Sequence, residues 1–209
     1  MTTPREAKRV VRTGYDACAA SYLSARASSR PDLSLLARFC ERLPDRARVL
    51  DAGCGAGVPV ARWLTAAGYP VVGADLSSRQ LEIAGNQVPG IRRVQADLSA
   101  LPFAPGSFGG VVSYYAIIHV PRAEHGEVLH ELRRVLAPGG IALLCLGARD
   151  LPDDHDTQSW LGVEMYWSHY DADTNLQLIA AAGFAIDWHR LVADPLDHGR
   201  HLFVHATAT

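Results

Sequence analysis

The sequence predicts an α/β fold: a seven-stranded, mostly parallel sheet with helices on both faces and an antiparallel hairpin at one edge. Three observations carry this expectation. Strand-like and helix-like segments alternate from residue 48 to residue 146. The first of those strands runs straight into a glycine-rich turn, Gly53-Cys54-Gly55-Ala56-Gly57, that opens a helix. The last two strand-like segments, near 184–191 and 201–206, are separated only by a loop, and strands joined so closely pair antiparallel.

Each element has its own signal. Residues 5–24 and 31–42 read as helices; Leu33, Leu35, Leu36, Phe39 and Cys40 fall on one side of the second, and Pro31 suits its first turn. Strand 48–52 is followed by a helix over 58–67 that stops at Gly68, then by strand 71–75. Ser77 or Ser78 caps the helix that carries Gln80, Leu81, Ile83 and Ala84. Strands at 91–95 and 108–113 precede an amphipathic helix over 124–136 with Val128, Leu129, Leu132, Val135 and Leu136 on its buried side. Pro138-Gly139-Gly140 is expected to terminate that helix before a strand over 141–146. Residues 147–171 form a polar and aromatic insertion, and a helix over 174–182 ends at Gly183.

The 209 residues suit one domain, with residues 1–45 supplying N-terminal helices expected to cover the site opened by the glycine turn. A hydrophobic content of 48% places the chain among globular proteins able to bury a core. The formal net charge is -2 and no basic stripe with interleaved aromatics appears, so no nucleic-acid partner is expected. The first 22 residues lack an apolar signal core, and no run approaches the ~20 apolar residues of a membrane span. Cys18, Cys40, Cys54 and Cys145 form neither a zinc spacing nor a disulfide framework. A cytoplasmic monomer or homodimer without membrane contact is the expectation. Lys8 is the only lysine amid many arginines, a bias read as genomic composition.

The glycine turn marks a nucleotide-cofactor site. Glycines at 53, 55 and 57 permit a tight turn and close backbone approach, and the helix behind offers free N–H groups. Asp75, 22 residues after Gly53, stands at the end of the next strand, where a carboxylate accepts both ribose hydroxyls. Two features argue against a dinucleotide. Val58 stands where the dinucleotide fingerprint G-x-G-x-x-G has its last glycine, and Asp51 sits just ahead of the turn, where a carboxylate repels a pyrophosphate and suits an ammonium.

The segment Val49–Gly57 resembles motif I of the class I S-adenosylmethionine-dependent methyltransferases. Val71–Ser77 is similar to that family's ribose motif. Gln95-Ala96-Asp97-Leu98 with Leu101-Pro102-Phe103 is similar to its adenine segment, and Leu132–Gly140 to the helix and turn before the fifth strand. The resemblance covers roughly residues 10 to 206 and implies a Rossmann-like sheet with S-adenosyl-L-methionine as cofactor. It implies that Asp51 with Gly53, Cys54 and Gly55 holds the methionine end, Asp75 with Leu76 and Gln80 the ribose, and Asp97 with Leu98 the adenine. Tyr15–Tyr22 is similar to an N-terminal motif whose tyrosines close over the cofactor, so Tyr15, Tyr22 and Tyr114 are expected to close the pocket. The segments 114–121 and 160–170 look like a subgroup of small bacterial members. Two departures stand out: Gly109-Gly110 replaces a usual Asp after Phe108, with a local structural effect expected, and Glu164 replaces a usual Pro.

The resemblance implies methyl transfer to a small-molecule acceptor, outside the carboxyl ends of the strands. The expected acceptor wall comprises Tyr115, Trp160, Met165, Tyr166, Trp167 and Tyr170. His119 and His169 are candidate bases, because histidine titrates near neutrality. Glu164, set among aromatics, is a candidate for holding a cationic or hydroxylated substrate. The competing readings are an NAD(P)-dependent oxidoreductase, which the turn spacing and Asp97-Leu98 argue against, and a protein that binds the cofactor without transferring methyl. A metal site is not expected: Asp153-Asp154-His155-Asp156 reads as a solvated loop, and His198, His201 and His205 lack a convincing further ligand beyond Asp197.

Overall fold

The computed structural model describes residues 2–27, 33–152, 158–194, 196 and 199–209. Pro31, the run 153–156, Asp197 and His198 lie outside the described residues. Strands β1 (Val49–Ala52), β2 (Val71–Asp75), β3 (Arg92–Gln95), β4 (Phe108–Ser113) and β5 (Leu136–Gly147) run parallel. A short separate hairpin follows, β6 (Gln158–Trp160) with β7 (Val163–Met165), and then β8 (Phe184–Ala193) and β9 (Arg200–Ala208). The main sheet has the order β3-β2-β1-β4-β5-β9-β8, with β9 antiparallel to both β5 and β8. This is the predicted seven-stranded sheet with its antiparallel edge.

Alternation along β5 shows how the two faces are made. Ala142, Leu144 and Leu146 join one apolar cluster, and Ile141, Leu143 and Cys145 join the other. The first face is covered by α5 (His125–Val135) and α6 (Ala172–Ala181), through Val128, Leu129, Leu132 and Ile179. The second is covered by α2 (Leu33–Cys40) and α3 (Val60–Ala66), through Leu36, Phe39, Ala61 and Leu64. Each fully buried Leu or Phe among them contributes roughly 1.5–3 kcal/mol. The glycine pair after Phe108 has a local role: a Cβ on Gly110 would stand 2.7 Å from Leu43 and 2.9 Å from Phe39, so the pair admits that packing.

The boundary between α5 and β5 differs from expectation. The helix stops at Val135, and Leu136 is already extended and pairs with Phe108. The strand then bulges before Gly110 pairs with Ile141, so Pro138-Gly139-Gly140 lies inside β5 and does not end the helix. Ala137 precedes a proline, which disfavours helical backbone two residues ahead of the first glycine.

Helix α1 (Pro4–Ala27) belongs to neither covering layer; it packs against β7 and against α4 (Ser78–Gln87). At 24 residues it is on the order of 36 Å long, enough to cross the strand ends of the sheet. Polar tethers fix it along its length. Lys8 pairs with Asp97 and Glu124, Asp16 accepts from the Ser77 hydroxyl, Tyr15 bonds His119, and Arg26 pairs with Asp194.

Candidate active site

The parallel register aligns the carboxyl ends of the strands, with Asp51 beside Gly73 and Asp75 beside Gln95. The segments that follow each strand therefore open on one side of the sheet. There α1 closes a cavity over them. Its lining includes Lys8, Val11, Tyr15 and Tyr22 from the helix, and Gly53 and Gly55 from the turn. Asp75, Leu76, Gln80, Asp97 and Leu98 line it from β2 onward, and Tyr114, Tyr115 and His119 from the segment after β4. A second opening, lined by Asp51, Cys54, Val58 and Arg26, shares Tyr22, Gly53, Gly55, Tyr114 and Tyr115 with it. The twelve residues expected at the cofactor thus line these two adjoining spaces, together the cofactor groove. Helix α2 contributes none of its lining; Leu36 and Phe39 are spent on the sheet.

The glycine turn is held from two sides. Gly53 and Cys54 both donate to the Ala74 carbonyl, at 2.8 and 3.0 Å. Gly55 donates to Asp75 Oδ2 at 2.7 Å, while Asp75 Oδ1 accepts from Ser77 at 2.8 Å. Gly53 has a φ of +80°, and a Cβ there would meet Ala116 at 2.1 Å, so only glycine fits. Burial raises the Asp75 pKa to about 6, against these backbone donors, which pull it down.

Asp51 is 1% exposed, and its Oδ2 has no hydrogen-bond partner among the described residues. Burial first, and the nearby Asp75 second, raise its pKa to about 8. The side-chain amide of Gln80 is likewise buried without a partner. Buried polar atoms of this kind are rare unless a ligand satisfies them. A carboxylate able to take an ammonium, a free amide and a clamped glycine turn fit the amino-acid and ribose portions of S-adenosylmethionine. Asp97 accepts from Lys8 at 2.7 Å and from Ser99, contacts that the sequence reading did not include.

A third cavity, of about 470 Å³, lies beyond Tyr15, Tyr115 and His119, which line both spaces. Trp160, Trp167 and His169 line it, with Arg26, Arg149, Asp194, Arg200 and His201 on its other sides. His119 stands in the shared wall, 6% exposed. Its Nδ1 lies 2.7 Å from the Tyr166 carbonyl, which only accepts, so Nδ1 carries the proton and Nε2 accepts from the Tyr15 hydroxyl at 2.8 Å. The His119 pKa is lowered to about 4, chiefly by burial, with the Tyr166 carbonyl opposing and His201, Arg26 and His169 adding to the fall. His169 is held by the Arg149 carbonyl at 2.6 Å, and its ring lies where a Cβ on Gly147 would be, 2.1 Å from Nδ1.

Four expected acceptor residues fall elsewhere. Met165 and Tyr166 pack under α1 with Ala7 and Val11, so they brace the helix. Glu164 alternates with Val163 and Met165 on β7; those two face α1, so its side chain points outward and is exposed. Tyr170 packs edge-on against His125, under the Arg122 guanidinium, and lines neither cavity. His205 bonds Asp187 at 2.8 Å and stacks on Trp188, away from His201 at the cavity. Lys8, Arg26 and Asp194 are lining residues that sequence reasoning missed. Only Lys8 carried a signal, its being the single lysine.

Comparison with known proteins agrees with this geometry. Residues 49–140 match the family model described as a methyltransferase domain. The chain is 37% identical over 159 residues to a malonyl-[acyl-carrier protein] O-methyltransferase of Pseudescherichia vulneris, covering 75% of this chain and 61% of that protein. It is 39% identical over 114 residues to methyltransferase GfsG of Streptomyces halstedii, spanning 40% of that protein. The chain therefore spans about two fifths to three fifths of the length of these two relatives. Its fold is shared with the 1,6-didemethyltoxoflavin-N1-methyltransferase of Burkholderia thailandensis, solved with S-adenosylhomocysteine bound (TM-score 0.76, 21% identity, 100% of this chain and 92% of that one). It is shared equally with the [4+2]-cyclase SpnF (TM-score 0.73, 18% identity, 97% and 96%). The family-model match over residues 49–140, the ordered motifs and these relatives make the chain similar to the class I S-adenosylmethionine-dependent methyltransferases, and the solved structures share its fold.

Proposed function

We propose that this chain transfers a methyl group from S-adenosylmethionine to a small-molecule acceptor held in the 470 Å³ cavity. The observation that supports it is the shared wall: Tyr15, Tyr115 and His119 line both the cofactor groove and that cavity. The volume lies within the roughly 300–1,000 Å³ of small-molecule sites. When bound, the cofactor supplies an activated methyl group. Asp51 would hold its ammonium, Asp75 and Gln80 its ribose, and Asp97 with Lys8 its adenine, while Tyr15 and Tyr22 cover it.

What the chain itself supplies is placement and exclusion of water. Effective concentration from holding two reactants in line is worth several kcal/mol, on the order of 7–11 at best. His119 keeps its Nε2 lone pair at neutral pH but, at a pKa of about 4, takes protons weakly. It serves best as an acceptor that aligns the Tyr15 hydroxyl or an incoming acceptor group. His169 lines the acceptor cavity and not the cofactor groove.

The cyclase on the same fold keeps a second reading in view, cofactor binding without methyl transfer. Incubation with S-adenosylmethionine and a panel of small acceptors decides. Release of S-adenosylhomocysteine with a methylated acceptor is the expected result. A rearranged product without S-adenosylhomocysteine would favour the second reading.

A further inference from the structure

We infer that the acceptor is a planar aromatic anion, its ring held against Trp160 and Trp167 and its acidic group facing Arg149 and Arg200. This rests on the function proposed above and names its substrate class. Around the shared wall the cavity is aromatic. Tyr15 meets Trp160 at 5.9 Å and 73°, Trp160 meets Trp167 at 5.9 Å and 90°, and His119 lies 5.6 Å from Trp167. Such a cluster of rings accepts either a flat apolar ring or an organic cation.

The charge on the remaining lining separates the two. Arg26, Arg149, Arg200, His169 and His201 line the cavity, and Asp194 is the one carboxylate among the described lining residues. That carboxylate is taken: it accepts from Arg26 through both oxygens at 3.1 and 3.2 Å, and from Leu196 N–H at 2.9 Å. Among the described residues neither Arg149 nor Arg200 has a carboxylate partner; an Arg200 nitrogen donates to the Leu191 carbonyl at 3.1 Å. Glu164, the carboxylate expected to receive a cation, points outward. Among the described lining residues the charges left without a carboxylate are the guanidinium groups of Arg149 and Arg200, which suit an acid better than a cation.

The neighbouring histidines respond to the same field. After burial, which is the largest cause, positive charge on His201 and Arg149 disfavours the protonated form of His169. An anion placed among them would reverse that sign.

Three probes of one shape test this on the protein saturated with S-adenosylhomocysteine: 2-naphthoate, 2-naphthamide and a 2-naphthyl trimethylammonium salt. Binding is read by quenching of tryptophan fluorescence and by calorimetry at neutral pH. The carboxylate is expected to bind at least about tenfold more tightly than the amide, the scale of one charge-assisted hydrogen bond. The ammonium should bind weakest. Both arginines are exposed, so the double variant Arg149→Gln, Arg200→Gln should fold, and it should bind carboxylate and amide alike. Equal or tighter binding of the amide or the ammonium overturns the inference, as does absence of binding by all three. Failure of S-adenosylhomocysteine itself to bind would instead strike the proposed function, so the two failures are distinguishable.

Discussion

The cofactor groove and the acceptor cavity share a wall but are built in opposite ways. The groove is made of segments that each follow a strand of the parallel half of the sheet: the turn 53–57, Asp75-Leu76, Asp97-Leu98 and Tyr114-Tyr115. Register brings these segments together as the floor of the groove, and α1 closes over them with Lys8, Val11, Tyr15 and Tyr22. The acceptor cavity draws on the end of α1, the insertion around Trp160 and Trp167, and the loop between β8 and β9. Those parts meet only because one helix crosses the sheet and is pinned at both ends. A site for a common cofactor can thus be carried by local motifs, while the site that selects the acceptor depends on long-range ties.

The strongest way to break this comparison is at the pin. Arg26 and Asp194 are 7% and 5% exposed and lie 168 positions apart. Removing one partner of a buried pair costs about 3–5 kcal/mol. Arg26→Met should lower the thermal midpoint by on the order of 10 °C. Asp194→Asn should do nearly as much, and the double variant should lose less than the two combined. Additive losses in differential scanning fluorimetry would show that the acceptor half does not depend on this tie.

Asp75→Ala tests the local half. It removes acceptors for Gly55 and Ser77 and for the cofactor, and should weaken S-adenosylhomocysteine binding by about 1.5–3 kcal/mol in calorimetry. Binding of naphthoate in the acceptor cavity at saturating cofactor should stay within about threefold, since independent sites are nearly additive. An equal loss at both would merge the two regions into one unit.

A smaller effect comes from Asp51. Its pKa is raised from 3.8 to about 8 in the folded, cofactor-free chain. The folded state therefore holds its proton more tightly than the unfolded one, and stability falls as pH rises from about 4 to about 8. Binding an ammonium needs the ionised form, so cofactor affinity should climb over neutral pH toward 8, with proton release in calorimetry. Asp51→Asn should flatten both dependences and leave the variant weaker in binding but more stable than wild type at pH 8. A pH-independent wild type would remove Asp51 from the ammonium site. The smallest expected effect is Glu164→Gln, within about 0.5 kcal/mol in stability and with unchanged turnover, as for an exposed side chain away from both cavities.

Legibility follows the same division. The strands and the glycine turn were readable because each motif is contiguous, and most of the residues expected at the cofactor follow directly from a strand end. Even Glu164 was decidable in principle: alternation with Val163 and Met165 turns it away from α1. The aromatic run 160–170 was read as one wall, and the structure divides it. Trp160 and Trp167 line the cavity, while Met165 and Tyr166 support α1 and Tyr170 rests on His125. Nothing in spacing distinguishes a tryptophan that faces a cavity from a tyrosine that faces a helix.

By itself the sequence determined the sheet, its antiparallel edge and the cofactor, because period-two burial and a strand-turn-helix motif are local properties of the chain. Only the tertiary structure decided that Lys8 stands with Asp97, that Arg26 locks to Asp194, and that His119 holds a bare Nε2 against Tyr15. Those pairs span 89, 168 and 104 positions, and a contact at such separation is set by how α1 lies across the finished sheet.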